Sequence, residues 1–195
     1  MPNLKDTRAI IQREACRLFA ERGYAAVSMR DLAEAVGVRQ SGLYNHFKSK
    51  QALLVDLMAN HMETLLEVLD GVMTGVNDPI ARLEAFVKHH VSYHLDYPDD
   101  VFLAYMEIRS LDAEGRDRVI ALRDRYEDVL CGILEDGVAT GEFHIRDVAV
   151  HTRMLLSMLT GATVWFRAGG RLNREEVVAC HLQAALQGVG LAGKT

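Results

Sequence analysis

Val27-Ser-Met-Arg-Asp-Leu-Ala-Glu-Ala-Val-Gly-Val-Arg-Gln-Ser-Gly-Leu-Tyr-Asn-His-Phe-Lys-Ser-Lys50 is the stretch on which the fold turns. Ser28 followed three residues later by Asp31 is a helix-start signal, because each side chain can satisfy a free backbone N–H of the first turn. Leu32, Ala33 and Val36 then fall on one helical face, and Gly37 closes the helix. A second short helix is expected over about residues 39–46, burying Leu43 and Phe47. Two short helices joined by a tight turn, the second rich in exposed hydrogen-bonding side chains, form a helix-turn-helix. That layout puts one helix into the major groove of DNA.

Helical periodicity continues on both sides. Ile10, Ile11, Ala15, Leu18 and Phe19 share one face of a helix expected over residues 6–22, with Gly23 as its stop. Downstream, Ser49 caps a long helix carrying Leu54, Leu57, Met58, Leu65, Leu69 and Val72. Asp78 and Pro79 open a fifth helix, since proline lacks the N–H that a first turn leaves unpaired anyway. Pro98 breaks it after Tyr97, and Asp99 and Asp100 begin a sixth, to about Ser110. Residues 116–141 read as a long amphipathic seventh helix, with Val119, Leu122, Tyr126, Val129, Leu130, Ile133, Leu134 and Val138 as its apolar side chains. An eighth spans residues 147–168, and Asn173 with Glu176 starts a ninth that ends near Gly188. No strand pair emerges, and three prolines in 195 residues suit a helical chain. The expected fold class is all-α, with about nine helices. Residues 1–50 form a three-helix, helix-turn-helix DNA-binding head, and residues 51–195 a larger effector-binding and dimerisation domain.

Composition bounds the alternatives. With 49% hydrophobic and 25% charged residues the chain is an ordinary globule. Cys16, Cys131 and Cys180 are too scattered for a disulfide framework and point to a reducing compartment. The start, with Asn3, Lys5, Asp6 and Arg8, is too polar for a signal segment. No run approaches the roughly 18 apolar residues of a membrane helix. A cytoplasmic protein with no membrane partner is expected. The formal charge of −5 argues against nucleic acid until it is resolved by position. Residues 1–50 carry nine basic and five acidic groups, a balance of +4, which leaves −9 on the remainder. A basic head on an acidic body suits DNA at one end and another task at the other. Chance clustering on a solvated face accounts for the charge equally well.

A leading helix, then Ser-x-Arg-Asp-Leu-Ala-x-x-Val-Gly-Val, then Gly-Leu-Tyr-Asn-His-Phe-Lys-Ser-Lys, resembles the DNA-binding head of TetR-family transcriptional regulators over about residues 6–55. The resemblance implies a homodimer on a palindromic, double-stranded operator. It also implies a small-molecule effector in the C-terminal domain that changes the separation of the two heads. Half-sites then lie about one helical turn apart, roughly 34–36 Å, or a multiple of that.

The head residues divide by chemistry. Arg39, Gln40 and Ser41 open the third helix. Arg39 can pair with guanine O6 and N7, and Gln40 with adenine N6 and N7. Arg30, at the start of the second helix, can reach the groove edge as the arginine at that place does in some relatives. These four are the expected base readers. Ser28, Tyr44, His46, Lys48 and Lys50 are the expected phosphate contacts, which position the head without reading sequence. One departure stands out: where the family often has a serine or threonine cap after Gly-Val, this chain has Arg39, which cannot cap in that way.

The body is less legible. Trp165-Phe-Arg-Ala-Gly-Gly-Arg-Leu172 is similar to a stretch in the branch of TetR-like regulators that controls lipid, sterol or aromatic-acid breakdown, several of which respond to acyl-CoA thioesters. Arg167 and Arg171 then suit CoA phosphates and Trp165 a stacking role. In a purely structural reading, Gly169 and Gly170 end the helix and Arg167 meets its terminal carbonyls. His90, Tyr93, Tyr105 and Tyr126 are further effector candidates, for an acyl-CoA or a hydrophobic acid, with core packing as the equal alternative. His90 and His94 share a helix face, yet no Glu completes H-E-x-x-H and no Cys joins them, so no metal site is assigned. The eighth and ninth helices are apolar on more than one side, which implies either a helix sunk centrally in its own domain or a further partner, here a two-fold dimer. Leu155, Leu159, Ala162, Phe166, Val178, Leu182 and Leu186 are the expected dimer interface. No phosphate loop, nucleophile elbow or catalytic constellation appears, so no catalytic residue, no enzyme activity and no cofactor are expected. The alternatives are a regulator of efflux or stress genes sensing a drug-like molecule and, further off, a helical enzyme or a protein-binding adaptor.

Overall fold

In the computed structural model, residues 4–191 are described, and within them every regular element is a helix. The polar opening around Asn3 lies outside the described residues. The helices are α1 (Leu4–Arg22), α2 (Met29–Val36), α3 (Gln40–Tyr44), α4 (Lys50–Met73), α5 (Pro79–Asp96), α6 (Pro98–Met106), α7 (Ala113–Ala139), α8 (Val148–Thr160), α9 (Ala162–Trp165) and α10 (Arg174–Gly188). Short 3-10 turns stand at Tyr24–Ala26 and Ile108–Ser110. The expected nine helices are all present among the described residues, the eighth being divided at Gly161 into α8 and α9.

Local signals set most boundaries. Ser28 and Asp31 form a reciprocal capping box at α2, and Asn173 and Glu176 form another at α10. The Asp78 carboxylate accepts from the Ala81 N–H at 2.8 Å with Pro79 in the first turn of α5. Gly37 ends α2 in the left-handed region at φ 74°, where a side chain is strained. Helix α7 starts three residues before the expected Arg116, because Asp112 caps it through the Gly115 N–H at 2.8 Å. Helix α3 is shorter than expected. Arg39 is its N-cap and makes no side-chain cap, so a costly nucleus is held by tertiary burial of Leu43.

The chain divides into two compact units, one formed by Met1–Glu63 with Asp99–Leu122, the other by Thr64–Pro98 with Arg123–Thr195. The first is centred on Ile11, Ala15, Leu18, Phe19, Leu32, Leu43, Leu54 and Met58, with Leu103 and Val119 completing the cluster. In the second, α5 packs against α8, α9 and α10, and Leu83, Phe86, Val87 and Val91 are fully buried. Burying one such side chain stabilises by about 1.5–3 kcal/mol, so these stripes dominate the stability of each unit. Among the described residues no helix is long and apolar enough to cross a membrane.

Candidate functional site

The head is rigid where it packs and open where it faces solvent. Leu32 and Leu43 are fully buried and Phe47 nearly so, fixing α2 against α3. Arg30, Arg39, Gln40, Ser41, Tyr44 and Lys48 are all exposed around the α2–α3 turn, and so is Ser28 at the start of α2. The Ser28 hydroxyl donates to the Asp31 carboxylate at 2.6 Å and accepts from its N–H at 3.2 Å. The Ser28 hydroxyl and the Ser28 backbone N–H, which donates to the same carboxylate at 2.8 Å, hold the Asp31 carboxyl below the usual carboxylate range. Asn45, exposed at the C-cap of α3, belongs to the same surface; nothing in local periodicity singles it out.

Two expected phosphate contacts are set differently from the rest. Lys50 is half-buried, and its ammonium donates to the carbonyls of Tyr24 and Val27, both at 2.8 Å. It also lies 4.1 Å from the centre of the Tyr24 ring. Two of its three N–H donors are thus spent inside the head. His46 is half-buried, and its carbonyl accepts from Arg8 at 3.4 Å. The Arg8 guanidinium stacks over the Phe47 ring at 4.4 Å and pairs with Asp56, which also accepts from Gln12 at 2.7 Å. Helices α1 and α4 therefore grip the end of α3 through a charge-assisted network.

The body candidates fall into three places. His90 is buried between the hydroxyls of Tyr126 and Thr160, each 3.1 Å from a ring nitrogen. Its ring stacks on His94 at 3.8 Å, and the Tyr93 and Tyr97 rings lie 4.6 Å apart, tilted by 39°. His89 donates to the Leu65 carbonyl at 3.0 Å. Burial pushes its imidazole below the usual histidine range. Near the end of α9, Trp165 is exposed and stacks on His181 at 6.0 Å. Arg167 donates to the carbonyls of Val164 and Phe166, and Arg171 is exposed. Tyr105 belongs to the first unit, whereas the other six candidates belong to the second.

The expected interface residues also separate. Leu155, Leu159 and Ala162 are buried in the core of their own unit and offer no surface to a second chain. The exposed face of α8 and α9 is the opposite one: Val150, Met154, Ser157 and Val164, the last 71% exposed. Phe166, Val178, Leu182 and Leu186 are half-buried, and Leu182 and Leu186 line a shallow groove with Ala179, Gln183 and Leu191.

The fold and the exposed turn define a helix-turn-helix DNA-binding protein. A family model described as "Bacterial regulatory proteins, tetR family" matches residues 11–57. Another, "Tetracyclin repressor-like, C-terminal domain", matches residues 76–189. The chain belongs to the TetR family of transcriptional regulators. It is 31% identical over 179 residues to the HTH-type transcriptional repressor KstR2 of Rhodococcus jostii (strain RHA1), covering 90% of this chain and 87% of that protein. The structure of the TetR family transcriptional regulator PfmR from Thermus thermophilus is similar at TM-score 0.83 and 37% identity, over 92% of this chain and 98% of that one. The structure of AibR in complex with isovaleryl coenzyme A and operator DNA is similar at TM-score 0.85 and 26% identity, over 92% and 97%.

Proposed function

We propose that this chain is an effector-responsive repressor that binds a palindromic operator as a homodimer and is released by an acyl-CoA thioester. The observation that carries the proposal is likeness over nearly the whole chain to a transcriptional repressor and to a regulator solved with both an acyl-CoA and operator DNA. Residues 1–50 serve as the DNA-binding head and residues 51–195 as the effector and dimer domain. Arg30, Arg39, Gln40 and Ser41 read bases, helped by Asn45. Ser28, Tyr44, His46 and Lys48 hold phosphates, and Lys50 acts chiefly as a brace with one N–H left for the backbone.

The dimer forms on the exposed face of α8 and α9, with Val150, Met154 and Val164, beside the half-buried Phe166, Val178, Leu182 and Leu186 of the neighbouring segment and α10. A stripe of exposed apolar side chains at helical spacing supports this, since two-fold association is the usual way to cover one. The acyl portion of the effector lies near His90, Tyr93 and Tyr126, and Arg171 meets its phosphates. Arg167 is given a structural role, because its guanidinium already serves two carbonyls of its own segment. An effector of this kind shifts the protein off DNA only by binding the DNA-incompetent form more tightly.

Selection of duplexes from a random pool, followed by competition with acyl-CoA thioesters, free CoA and the free acids, tests the proposal. A palindromic duplex released by a thioester and not by its acid or by CoA alone is expected. Selection of no duplex at low salt overturns the DNA assignment, and release by free acids alone overturns the thioester.

A further inference from the structure

The turn that precedes the helix-turn-helix is held by a residue 83 positions away in sequence. The Tyr24 N–H follows the end of α1 and has no helical partner there. It donates to Glu107 Oε1 at 3.1 Å. Glu107 Oε2 accepts from the Ser110 hydroxyl at 2.6 Å, which fixes the carboxylate from its other side. The Gln51 amide, oriented so that both of its ends are satisfied, donates to the Ser110 carbonyl at 3.2 Å and the Tyr24 hydroxyl at 3.0 Å. Its oxygen accepts from the Asp112 N–H at 2.7 Å. Lys50 ties the Tyr24 and Val27 carbonyls to the first turn of α4. The short segment between α6 and α7 thus holds the same turn that α4 holds, and every one of these residues lies in the first unit.

We infer that Glu107 is a positioning residue for operator binding, because its carboxylate holds the Tyr24–Val27 turn from which α2 is launched. That turn ends at Val27, one residue before Ser28 and three before Arg30. A carboxylate accepting a backbone N–H in a half-buried place is a strong, directional tether. Loss of the tether leaves the Tyr24 N–H without its acceptor and frees the start of α2 to shift against α3. A shift there misplaces Ser28 and Arg30 relative to Arg39 and Gln40, and misplacement of about 1 Å is costly wherever several contacts must be made together. Position 107 sits between α6 and α7, so the compact unit that carries the head includes residues that follow α5 in sequence. The inference rests on the DNA-binding assignment of the head.

The test uses the full chain and the duplex that the wild-type protein selects from a random pool. Glu107→Ala should weaken binding to that duplex about tenfold, the loss expected when a charge-assisted hydrogen bond no longer orders the site. Glu107→Gln keeps a side-chain carbonyl for the Tyr24 N–H and should stay within about twofold of wild type, on the same hydrogen-bond arithmetic. Amide exchange should rise over Tyr24–Ser28 in Glu107→Ala and stay unchanged in α5 and α10. Equal binding by Glu107→Ala and wild type overturns the inference, and so does a Glu107→Gln loss as large as that of Glu107→Ala. If Glu107→Ala does not fold, Glu107→Asp, one methylene too short to reach, must show the same loss; wild-type affinity in that variant overturns the inference. A wild-type protein that selects no duplex overturns the DNA-binding assignment itself, a result distinct from the others.

Discussion

The Lys50 ammonium lies 2.8 Å from the Val27 carbonyl oxygen and donates to it, joining the first residue of α4 to the residue before the N-cap of α2. The same nitrogen serves Tyr24, so one side chain closes the head across the helix-turn-helix. Lys50→Met keeps most of the apolar stem and removes both bonds. It should lower unfolding stability by about 1–3 kcal/mol in urea melts. It should also weaken all duplexes by a similar factor. A stability change under about 0.5 kcal/mol, the size expected of an ordinary surface substitution, would remove the brace.

Base readers and positioners should separate in binding assays. Arg39→Ala or Gln40→Ala should relax preference at one base pair by about 1–3 kcal/mol. Lys48→Ala should weaken all sequences alike and reduce the slope of log affinity against log salt by about 1. A panel of single-base operator variants titrated at several salt concentrations checks both. Identical profiles for the two kinds of variant would dissolve the division.

The exposed stripe on α8 and α9 should be the seam of the dimer. Met154→Asp or Val164→Asp places a charge on it and should yield a folded monomer in sedimentation, with loss of cooperative binding to the palindrome. Leu159→Asp, aimed at a fully buried position, should instead unfold the chain. Persistence of the dimer in both surface variants would move the seam elsewhere.

Acid should weaken the fold through His61. Burial holds its imidazole down at about 4, while the unfolded chain titrates near the ordinary value of about 6.5. Above that ordinary value both states are neutral. As pH falls from about 6.5 to 4 the unfolded chain takes up the proton first, which costs about 3 kcal/mol of stability in all. Burial raises the Asp99 and Asp100 carboxyls, an effect of opposite sign that favours the folded chain as they take up protons. His61→Leu should therefore flatten the acid limb of a stability–pH curve, and an unchanged limb would exclude the assignment.

Close packing at Gly115 should be readable in a double mutant. A Cβ there would stand 2.3 Å from Val55 Cγ2 and 2.9 Å from Asp112 Oδ1. Gly115→Ala should destabilise by about 1–3 kcal/mol despite the better helix propensity of alanine. Val55→Ala should then restore part of the loss, giving a favourable coupling in a thermodynamic cycle. Additive effects would show that the helices part without strain.

What the sequence determined by itself was local. Ser28 with Asp31, Asp78 with Pro79 and Asn173 with Glu176 place helix starts, because each cap is a bond between residues three apart or fewer. The exposed side chains between Arg39 and Lys48 were equally legible, since Leu43 and Phe47, four residues apart, mark the buried side of that stretch. Tertiary structure alone decided which side of α8 is inside, because an apolar helix has no hydropathy contrast to mark its outward face. It also decided the partners of Lys50 and the tie between Glu107 and Tyr24. A lysine beside a helix start, or a glutamate between two helices, carries no sign in sequence of the distant carbonyl or N–H that it will meet. Such bonds arise only when packing brings separate turns within about 3 Å, the reach of a hydrogen bond.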